Sequence, residues 1–304
     1  MKNSAYLSIS DEVAEALQER RGVVALESTV IAHGLPRPVN LETASRLDQI
    51  VRDAGATPAT IAVLDGKLCV GLVEDQLEVI ANGNDIKKLS TRDLPIARAR
   101  KWNAATTVAT TIWIARRAGI EVFATGGIGG VHRGPLADVS ADLPELARTQ
   151  ITVVCSGAKI VLDLPATREW LETHGITVLG YQTDELPAFY SRTSGLSIDC
   201  RVNSAAEVVQ ILRAQRELEI TSALLVTVPV PAAAEVAPEL LERVLEDSLK
   251  EAEQKQIAGR EVTPFLLARM SESSKGSTLK ANIALLENNA RVAAEIAVVA
   301  ANNT

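Results

Sequence analysis

Residues 151–180 read ITVVCSGAKIVLDLPATREWLETHGITVLG, and this stretch decides the class of fold. Two short runs, Thr152–Cys155 and Thr177–Gly180, carry the β-branched and apolar residues that are typical of buried strands. Between them, Pro165–His174 repeats its apolar residues at helical spacing. A strand, a helix and a second strand in such quick succession predict an α/β protein.

The same alternation continues along the chain in both directions. The predicted strands are Val23–Leu26, Thr60–Leu64, Leu68–Leu72, Val122–Thr125, Thr152–Cys155, Thr177–Gly180 and Ala223–Val228. The predicted helices are Asp11–Arg20, Leu41–Ala54, Ala104–Ala118, Pro165–His174, Ala205–Leu218, Pro238–Ile257 and Lys280–Ala300. The dipeptide Asp65-Gly66 separates two apolar runs and predicts a tight hairpin, whose central residues need positive φ. We therefore expect a three-layer α/β/α fold with a mixed central sheet.

Length and composition describe an ordinary globular protein. The chain has 304 residues, 47% of them hydrophobic and 23% charged, so burial of apolar surface can offset the entropy of ordering. That length also allows two domains of roughly 150 residues each. Because no shift in composition marks a linker and no internal repeat is present, we predict a single domain over residues 1–304.

Charge and hydropathy argue against several classes of function. The formal net charge is −7 and the pI about 5.2, whereas binding along a nucleic-acid backbone needs a concentrated basic face. No run reaches the ~18–20 apolar residues of a membrane span, and the first residues lack the apolar core of a signal peptide. Cys69, Cys155 and Cys200 stand apart, and we expect them to be buried, reduced thiols in a cytoplasmic protein.

Two charged residues follow apolar runs at positions where α/β sheets bind ligands, the carboxyl ends of strands. Glu27 is either held by neighbouring hydroxyls and backbone donors or belongs to a catalytic site, because an unpaired buried carboxylate is costly. Lys159 follows a strand and the small residues Ser156-Gly157-Ala158. It is either a solvated surface group or the uncharged amine that a Schiff-base mechanism requires.

Two further clusters lie between those residues. Residues 125–134 read TGGIGGVHRG, and such glycine density lets amides approach a phosphate closely. The spacing matches neither the P-loop nor the dinucleotide fingerprint, so a tight turn without a ligand is the alternative. Asp138 and Asp142, with Ser140 between them, suit a hard divalent cation, although Ser140 or Asp142 can instead cap a following helix.

The remaining candidates are scattered. Lys88 can bind phosphate as a point charge, and Thr106 and Thr107 can present hydroxyls at a helix start. A solvated basic turn and an ordinary helix start are the alternatives. Asn282 and Asn289 lie seven residues apart on one face of the last predicted helix. Because buried amides need hydrogen-bond partners, this pair implies either a ligand or a capped loop.

Taken in order, these clusters resemble the pseudouridine-5′-phosphate glycosidase, or indigoidine synthase A-like, family over nearly the whole chain. The matching motifs are ALESTVIAHGLPRP (25–38), PATIAVLDG (58–66), KLSTRDLP (88–95), WNAATTVATT (102–111), FATGGIGGVHRG (123–134), DVSADLPELA (138–147), VVCSGAKIVLDLPAT (153–167), YQTDELPAFYSRTSG (181–195) and KANIALLENNA (280–290).

The resemblance implies roles for individual positions. Glu27 matches the family's proton donor, Lys159 its imine-forming nucleophile and Asp138 its manganese ligand. The positions matching substrate contacts are Lys88, Val108, Ser140, Ala141 and Asp142, with Asn282 matching an active-site amide. The resemblance also implies an α/β/α body, one divalent metal per subunit, usually Mn²⁺, and a homotrimer.

The implied activity is reversible cleavage of the C–C glycosidic bond of pseudouridine 5′-phosphate to uracil and ribose 5-phosphate, through an imine between Lys159 and ring-opened ribose. A sugar kinase is one alternative, although no Walker-type lysine follows the glycines. A non-catalytic phosphosugar-binding protein is another, although binding alone needs neither the Glu27 acid nor the Lys159 amine. The expected partners are small molecules, with neither nucleic acid nor membrane among them.

Overall fold

Eleven strands form one sheet in the computed structural model, which describes residues 6–133, 138–257, 259 and 262–302. The strands are β1 (Leu7–Ile9), β2 (Val23–Glu27), β3 (Thr57–Leu64), β4 (Lys67–Val70), β5 (Lys87–Leu89), β6 (Ala104–Thr106), β7 (Val122–Ala124), β8 (Thr152–Cys155), β9 (Thr177–Tyr181), β10 (Cys200–Val202) and β11 (Leu224–Thr227). Along the main path they lie in the order β1-β4-β3-β2-β7-β8-β11-β9-β10, and β6 joins β5 to β3.

The sheet is mixed, as predicted. Strand β3 pairs antiparallel with β4 and β6, and the other pairs are parallel. The hairpin between β3 and β4 turns at Asp65 and Gly66, with φ values of 47° and 71°. Both central residues therefore have the left-handed conformation that the Asp-Gly dipeptide predicts, and the hairpin is confirmed.

Helices flank the sheet. They are α1 (Asp11–Gln18), α2 (Val39–Asp53), α3 (Glu74–Asn82), α4 (Leu94–Ala99), α5 (Val108–Ala118), α6 (Asp142–Arg148), α7 (Leu164–Thr173), α8 (Ala205–Glu217), α9 (Pro238–Gln254), α10 (Val262–Ser273) and α11 (Ser277–Ala301). Helix α11 packs on β2, β7 and β8 beside α2 and α8, whereas α5 packs on β2 and β3 beside α6. The predicted three-layer α/β/α architecture is confirmed.

Burial explains why the central strands read as continuous apolar runs. Every residue of β2, β8 and β11 is buried, because helices cover both faces of a mostly parallel sheet. Helix starts are fixed by local caps: the Asp163 side chain accepts a hydrogen bond from the Ala166 amide at α7. The Ser204 side chain does the same for the Glu207 amide at α8.

Two sequence predictions fail locally. The helix predicted over Ala104–Ala118 begins only at Val108, because Ala104–Thr106 form β6. These residues are small enough for the tightly packed sheet interior, and the Thr106 hydroxyl donates to the carbonyl oxygen of Ile61 rather than facing a ligand. Cys200 is exposed rather than buried, whereas the burial of Cys69 and Cys155 is confirmed.

None of the helices in the described ranges combines the length and apolar content needed to cross a membrane. The first five residues, on which the prediction of no signal core partly rests, lie outside those ranges. The single-domain organisation over residues 1–304 stays a prediction.

Candidate active site

A cleft of about 340 Å³ opens at the carboxyl ends of β2, β7 and β8, which are parallel neighbours in the sheet. All nine residues to which the resemblance gives a role line it. They are Glu27, Lys88, Val108, Asp138, Ser140, Ala141, Asp142, Lys159 and Asn282. Parallel strands end at one edge of a sheet, so residues far apart in the sequence converge there.

Glu27 is the last residue of β2, and only 7% of its surface is exposed. The Thr125 hydroxyl, directly after β7, donates a hydrogen bond to Glu27 Oε1. Burial raises the pKa of the Glu27 carboxyl above its usual value, against opposing effects of Lys159, the Thr125 hydrogen bond and Lys88. A carboxyl that retains its proton to higher pH is suited to act as a general acid.

Lys159 is half-buried in the turn that follows β8, inside the cleft rather than in bulk solvent. Its Nζ donates a hydrogen bond to the Gly127 carbonyl oxygen at 2.8 Å. Its amide donates to the Ile128 carbonyl oxygen at 3.1 Å. The turn after β8 is therefore attached to the glycine-rich turn after β7, and the amine is oriented by main-chain atoms on the neighbouring strand end.

Packing within the protein explains the glycine-rich segment better than phosphate binding does. A Cβ at Gly129 would collide with the Ser140 side chain, and one at Gly130 would collide with Thr167. The Gly129 amide donates to Asp142 Oδ2 at 2.8 Å, so it is already satisfied by the protein. The interpretation that amides within residues 125–134 approach a phosphate is therefore wrong for Gly129.

Asp142 holds two segments of the cleft wall together. Its Oδ1 accepts a hydrogen bond from the Ala109 amide in the first turn of α5, and its Oδ2 accepts the one from Gly129. Asp142 is 6% exposed and Ala109 is fully buried, so the Ala109 amide depends on this carboxylate rather than on water. The capping alternative is wrong for Asp142, because α6 starts at that residue and its side chain serves other segments.

The expected metal position fits only a largely hydrated cation. Asp138 is exposed in the cleft, whereas each Asp142 oxygen already accepts an amide hydrogen, so Asp138 is the more available carboxylate. Within the described ranges, no group of three or more His, Cys, Asp or Glu side chains is placed to hold a metal ion. One carboxylate and a nearby hydroxyl suit a hard divalent cation that keeps most of its waters.

The other predicted contacts occupy different parts of the wall. Lys88 lies in β5, and Val108 is buried at the start of α5. The Ser140 hydroxyl oxygen lies 3.3 Å from the Asp142 amide, and Ala141 is exposed just before α6. Asn282, on α11, is 6% exposed. The structure brings these positions into one cleft, and their roles as substrate contacts stay predictions.

The sequence did not predict the contacts that two polar residues, Thr125 and Asn289, make beside the cleft. Thr125 was part of the glycine-rich cluster, but its contact with Glu27 depends on β2 and β7 being neighbours. Asn289 was singled out as a buried amide, and its partners turn out to be the strand-end turns beside the cleft. A polar residue directly after an apolar run was the available signal for Thr125.

A sequence model of the family described as indigoidine synthase A like protein matches residues 12–299. The chain belongs to the indigoidine synthase A-like family. A family member from Geobacillus kaustophilus, named pseudouridine-5′-phosphate glycosidase, is 51% identical over 294 residues, 96% of this chain and 98% of that protein. A protein of the same name from Clostridium botulinum is 50% identical over 296 residues, 96% of each chain.

Solved structures of related proteins show the same fold. An indigoidine synthase A-like protein from Thermotoga maritima superposes with a TM-score of 0.89 at 41% identity, covering 98% of this chain and 97% of that one. Prealnumycin C-glycosynthase AlnA, solved in complex with ribulose 5-phosphate, gives a TM-score of 0.91 at 40% identity over 99% of both chains. The likeness therefore extends over the whole α/β/α body.

Proposed function

We propose that this chain is a pseudouridine-5′-phosphate glycosidase, which reversibly cleaves the C–C glycosidic bond of its substrate with water to give uracil and ribose 5-phosphate. One observation carries the proposal: the buried acid Glu27 and the amine of Lys159 line a single cleft, at the ends of β2 and β8 with β7 between them. A proton donor and a nucleophilic nitrogen are the two groups that this reaction needs.

The first step is attack of Lys159 Nζ on C1′ of the ribose. The C1′–O4′ bond breaks as the C1′–N bond forms, O4′ takes up a proton, and the nitrogen loses one. The product is a ring-opened sugar attached to the enzyme through a secondary amine. The Gly127 carbonyl, 2.8 Å from Nζ, orients this nitrogen without requiring a carboxylate beside it.

The second step is protonation of uracil C5 by Glu27, which disrupts the conjugation of the base. The electrons of the C1′–C5 bond then return to the uracil ring, and the nitrogen lone pair forms a C1′=N imine. Uracil departs with the Glu27 proton on C5. Water adds to the imine carbon and expels Lys159, which releases ribose 5-phosphate and restores the amine. The proton set free in this hydrolysis returns to the Glu27 carboxylate.

The cleft wall offers side chains for the substrate phosphate and for a metal ion. Lys88 and Ser140 hold the phosphate, with Lys88 supplying a positive charge. Asp138 would hold one Mn²⁺ per subunit, with water as most of its other ligands. The ion supplies ordering of water and polarisation of sugar hydroxyls when it is bound.

The relatives support this proposal through their names. Two proteins that are about 50% identical to this chain over nearly its full length are named for this activity. AlnA is named as a C-glycosynthase and was solved with a pentose phosphate, which is the kind of sugar that the reverse reaction would use here. We also propose that the protein is a homotrimer located in the cytoplasm. Sedimentation equilibrium of the purified chain would test the trimer.

The test of function is incubation with pseudouridine 5′-phosphate and Mn²⁺, with uracil measured by chromatography. Release of uracil without a nucleotide supports the glycosidase. Phosphate transfer that requires ATP would instead indicate the sugar kinase, and binding without product the silent phosphosugar-binding protein. Borohydride reduction with ribose 5-phosphate, followed by peptide mass spectrometry, should place the sugar on Lys159, and a tag elsewhere would contradict the mechanism.

A further inference from the structure

Asn289 is a fully buried amide that contacts both strand-end turns beside the cleft. It lies on α11, and none of its surface is exposed. Its Nδ2 donates to the Thr125 carbonyl oxygen at 2.8 Å and lies 3.4 Å from the Gly126 carbonyl oxygen. The same nitrogen lies 3.1 Å from Ser156 Oγ, and Ser156 Oγ lies 3.3 Å from Asn289 Oδ1.

The atoms that Asn289 contacts belong to the turns that orient the two reacting groups. Thr125 supplies the hydroxyl bonded to Glu27 Oε1, and Gly127, two residues later, supplies the carbonyl bonded to Lys159 Nζ. Ser156 opens the turn that carries Lys159, and its amide donates to the Gly126 carbonyl oxygen at 2.9 Å. The Asn289 amide therefore adds a side-chain link to the main-chain hydrogen bonds that join the turn after β7 with the turn after β8.

We propose that Asn289 is a positioning residue that holds the proton donor Glu27 and the nucleophile Lys159 in register through Thr125, Gly127 and Ser156. This inference rests on the function proposed above. The residue touches no reacting atom and acts by fixing the turns from behind, on the helix that also carries Asn282 into the cleft two turns earlier. Displacement of a reacting group by about 1 Å can cost about 100-fold in rate.

The chemistry of the contact explains why an amide is required. The site must donate to the Thr125 carbonyl and also exchange a hydrogen bond with the Ser156 hydroxyl, and an amide offers both a donor and an acceptor. Removing the amide deprives the Thr125 carbonyl of this donor and the Ser156 hydroxyl of its partner, which loosens the turns.

The decisive experiment compares Asn289→Ala with Gln215→Ala. Gln215 is also a buried helical amide, on α8, and its Nε2 donates to the Ser222 carbonyl oxygen before β11, at the opposite edge of the sheet. Both variants lose a buried backbone contact and should melt at a lower temperature. We expect Asn289→Ala to lose about 100-fold in kcat with KM changed less than about threefold, and Gln215→Ala to keep kcat within about twofold.

A pH profile separates positioning from general destabilisation. The hydrogen bond from the Thr125 hydroxyl lowers the pKa of Glu27, so weakening that bond raises the pKa further. In Asn289→Ala, the pH above which uracil release declines should therefore be higher than in the wild type. Partial unfolding would lower the amplitude without moving this pH. Ser156→Ala removes only the contact between the Ser156 hydroxyl and the Asn289 amide and should show a smaller loss of kcat. This variant provides the test if Asn289→Ala does not fold.

Equal kcat and an unchanged pH of decline in Asn289→Ala would overturn the positioning role, as would an equal loss in Gln215→Ala. If wild-type protein releases no uracil, the proposed function fails, and the positioning role is still tested. The rate at which an amine-reactive acylating reagent labels Lys159 should then differ at least about threefold between wild type and Asn289→Ala. Identical labelling rates would overturn it.

Discussion

The Nζ atom of Lys159 lies 2.8 Å from the carbonyl oxygen of Gly127 on the neighbouring strand end. An uncharged amine can donate one hydrogen to a carbonyl and keep its lone pair for attack on carbon. Glu27, the acid of the same cleft, has a different partner, the Thr125 hydroxyl. The two groups proposed to react thus have separate hydrogen-bond partners, although main-chain hydrogen bonds and Asn289 join the turns that carry those partners.

Replacing the nucleophile should abolish turnover without unfolding the protein. In Lys159→Ala we expect a loss of at least ~10³-fold in the rate of uracil release, because the covalent route is removed. Circular dichroism should show an unchanged fold, and borohydride should trap no ribose 5-phosphate. Turnover near the wild-type rate would end the imine proposal.

Replacing the Glu27 carboxyl with an amide should stop the reaction after attack by Lys159 and before uracil leaves. In Glu27→Gln the sugar adduct on Lys159 should accumulate, because attack precedes protonation, while uracil is not released. Intact-mass measurement after rapid quenching would detect the adduct. In the wild type, burial raises the pKa of Glu27, so release should fall only as the pH rises past that raised value. Uracil release from Glu27→Gln at wild-type speed would mean that another group supplies the proton.

Two adjacent lysines allow a matched test of phosphate binding. Lys88 lines the cleft, whereas its neighbour in β5, Lys87, forms an ion pair with Asp85. Lys88→Ala should raise KM for pseudouridine 5′-phosphate about 10- to 100-fold, as expected when a charged hydrogen bond is lost. Lys87→Ala should leave KM within about twofold, because alternate strand residues point to opposite faces. Equal effects of the two changes would remove Lys88 from the phosphate site.

The two aspartates near the cleft should differ in their effect on stability. Asp142→Asn replaces one of the two carboxylate oxygens that accept the amide hydrogens of Ala109 and Gly129, which should lower the free energy of unfolding by ~1–3 kcal/mol. Asp138→Asn, at an exposed position, should change it by less than ~0.5 kcal/mol. Urea denaturation of both variants would check the difference, and equal stabilities would show that the Asp142 contacts contribute little.

Asp48, a carboxyl outside the cleft, should make the free energy of unfolding depend on pH. Burial raises the pKa of Asp48 from 3.8 to about 6, in spite of Arg52 and the Thr60 hydrogen bond. The folded protein therefore binds this proton more tightly than the unfolded chain, and stability should fall as the pH rises from 3.8 to about 6. Asp48→Asn should flatten that part of the profile of unfolding free energy against pH. An unchanged slope would contradict the assignment.

The alternation of short apolar runs with segments of helical periodicity was enough to predict the class of fold and most of its central elements. Strand β8 is found at its predicted bounds, and the Asp65-Gly66 hairpin follows from local backbone conformation. The helix predicted from Ala104 was wrong at its start because Ala104–Thr106 suit either a helix or a short strand. Pairing with β3 and β5, which are distant in the sequence, decides between them.

By itself, the sequence determined which chemical groups follow the strands and that parallel strand ends would gather Glu27 and Lys159 at one edge. It could not determine what each group touches. That Asp142 binds two amides, and that Asn289 links the turns after β7 and β8, depends on side chains meeting across segments far apart in the chain. Strand order and helix packing fix those distances, because hydrogen bonds form only where folding brings donor and acceptor within about 3 Å.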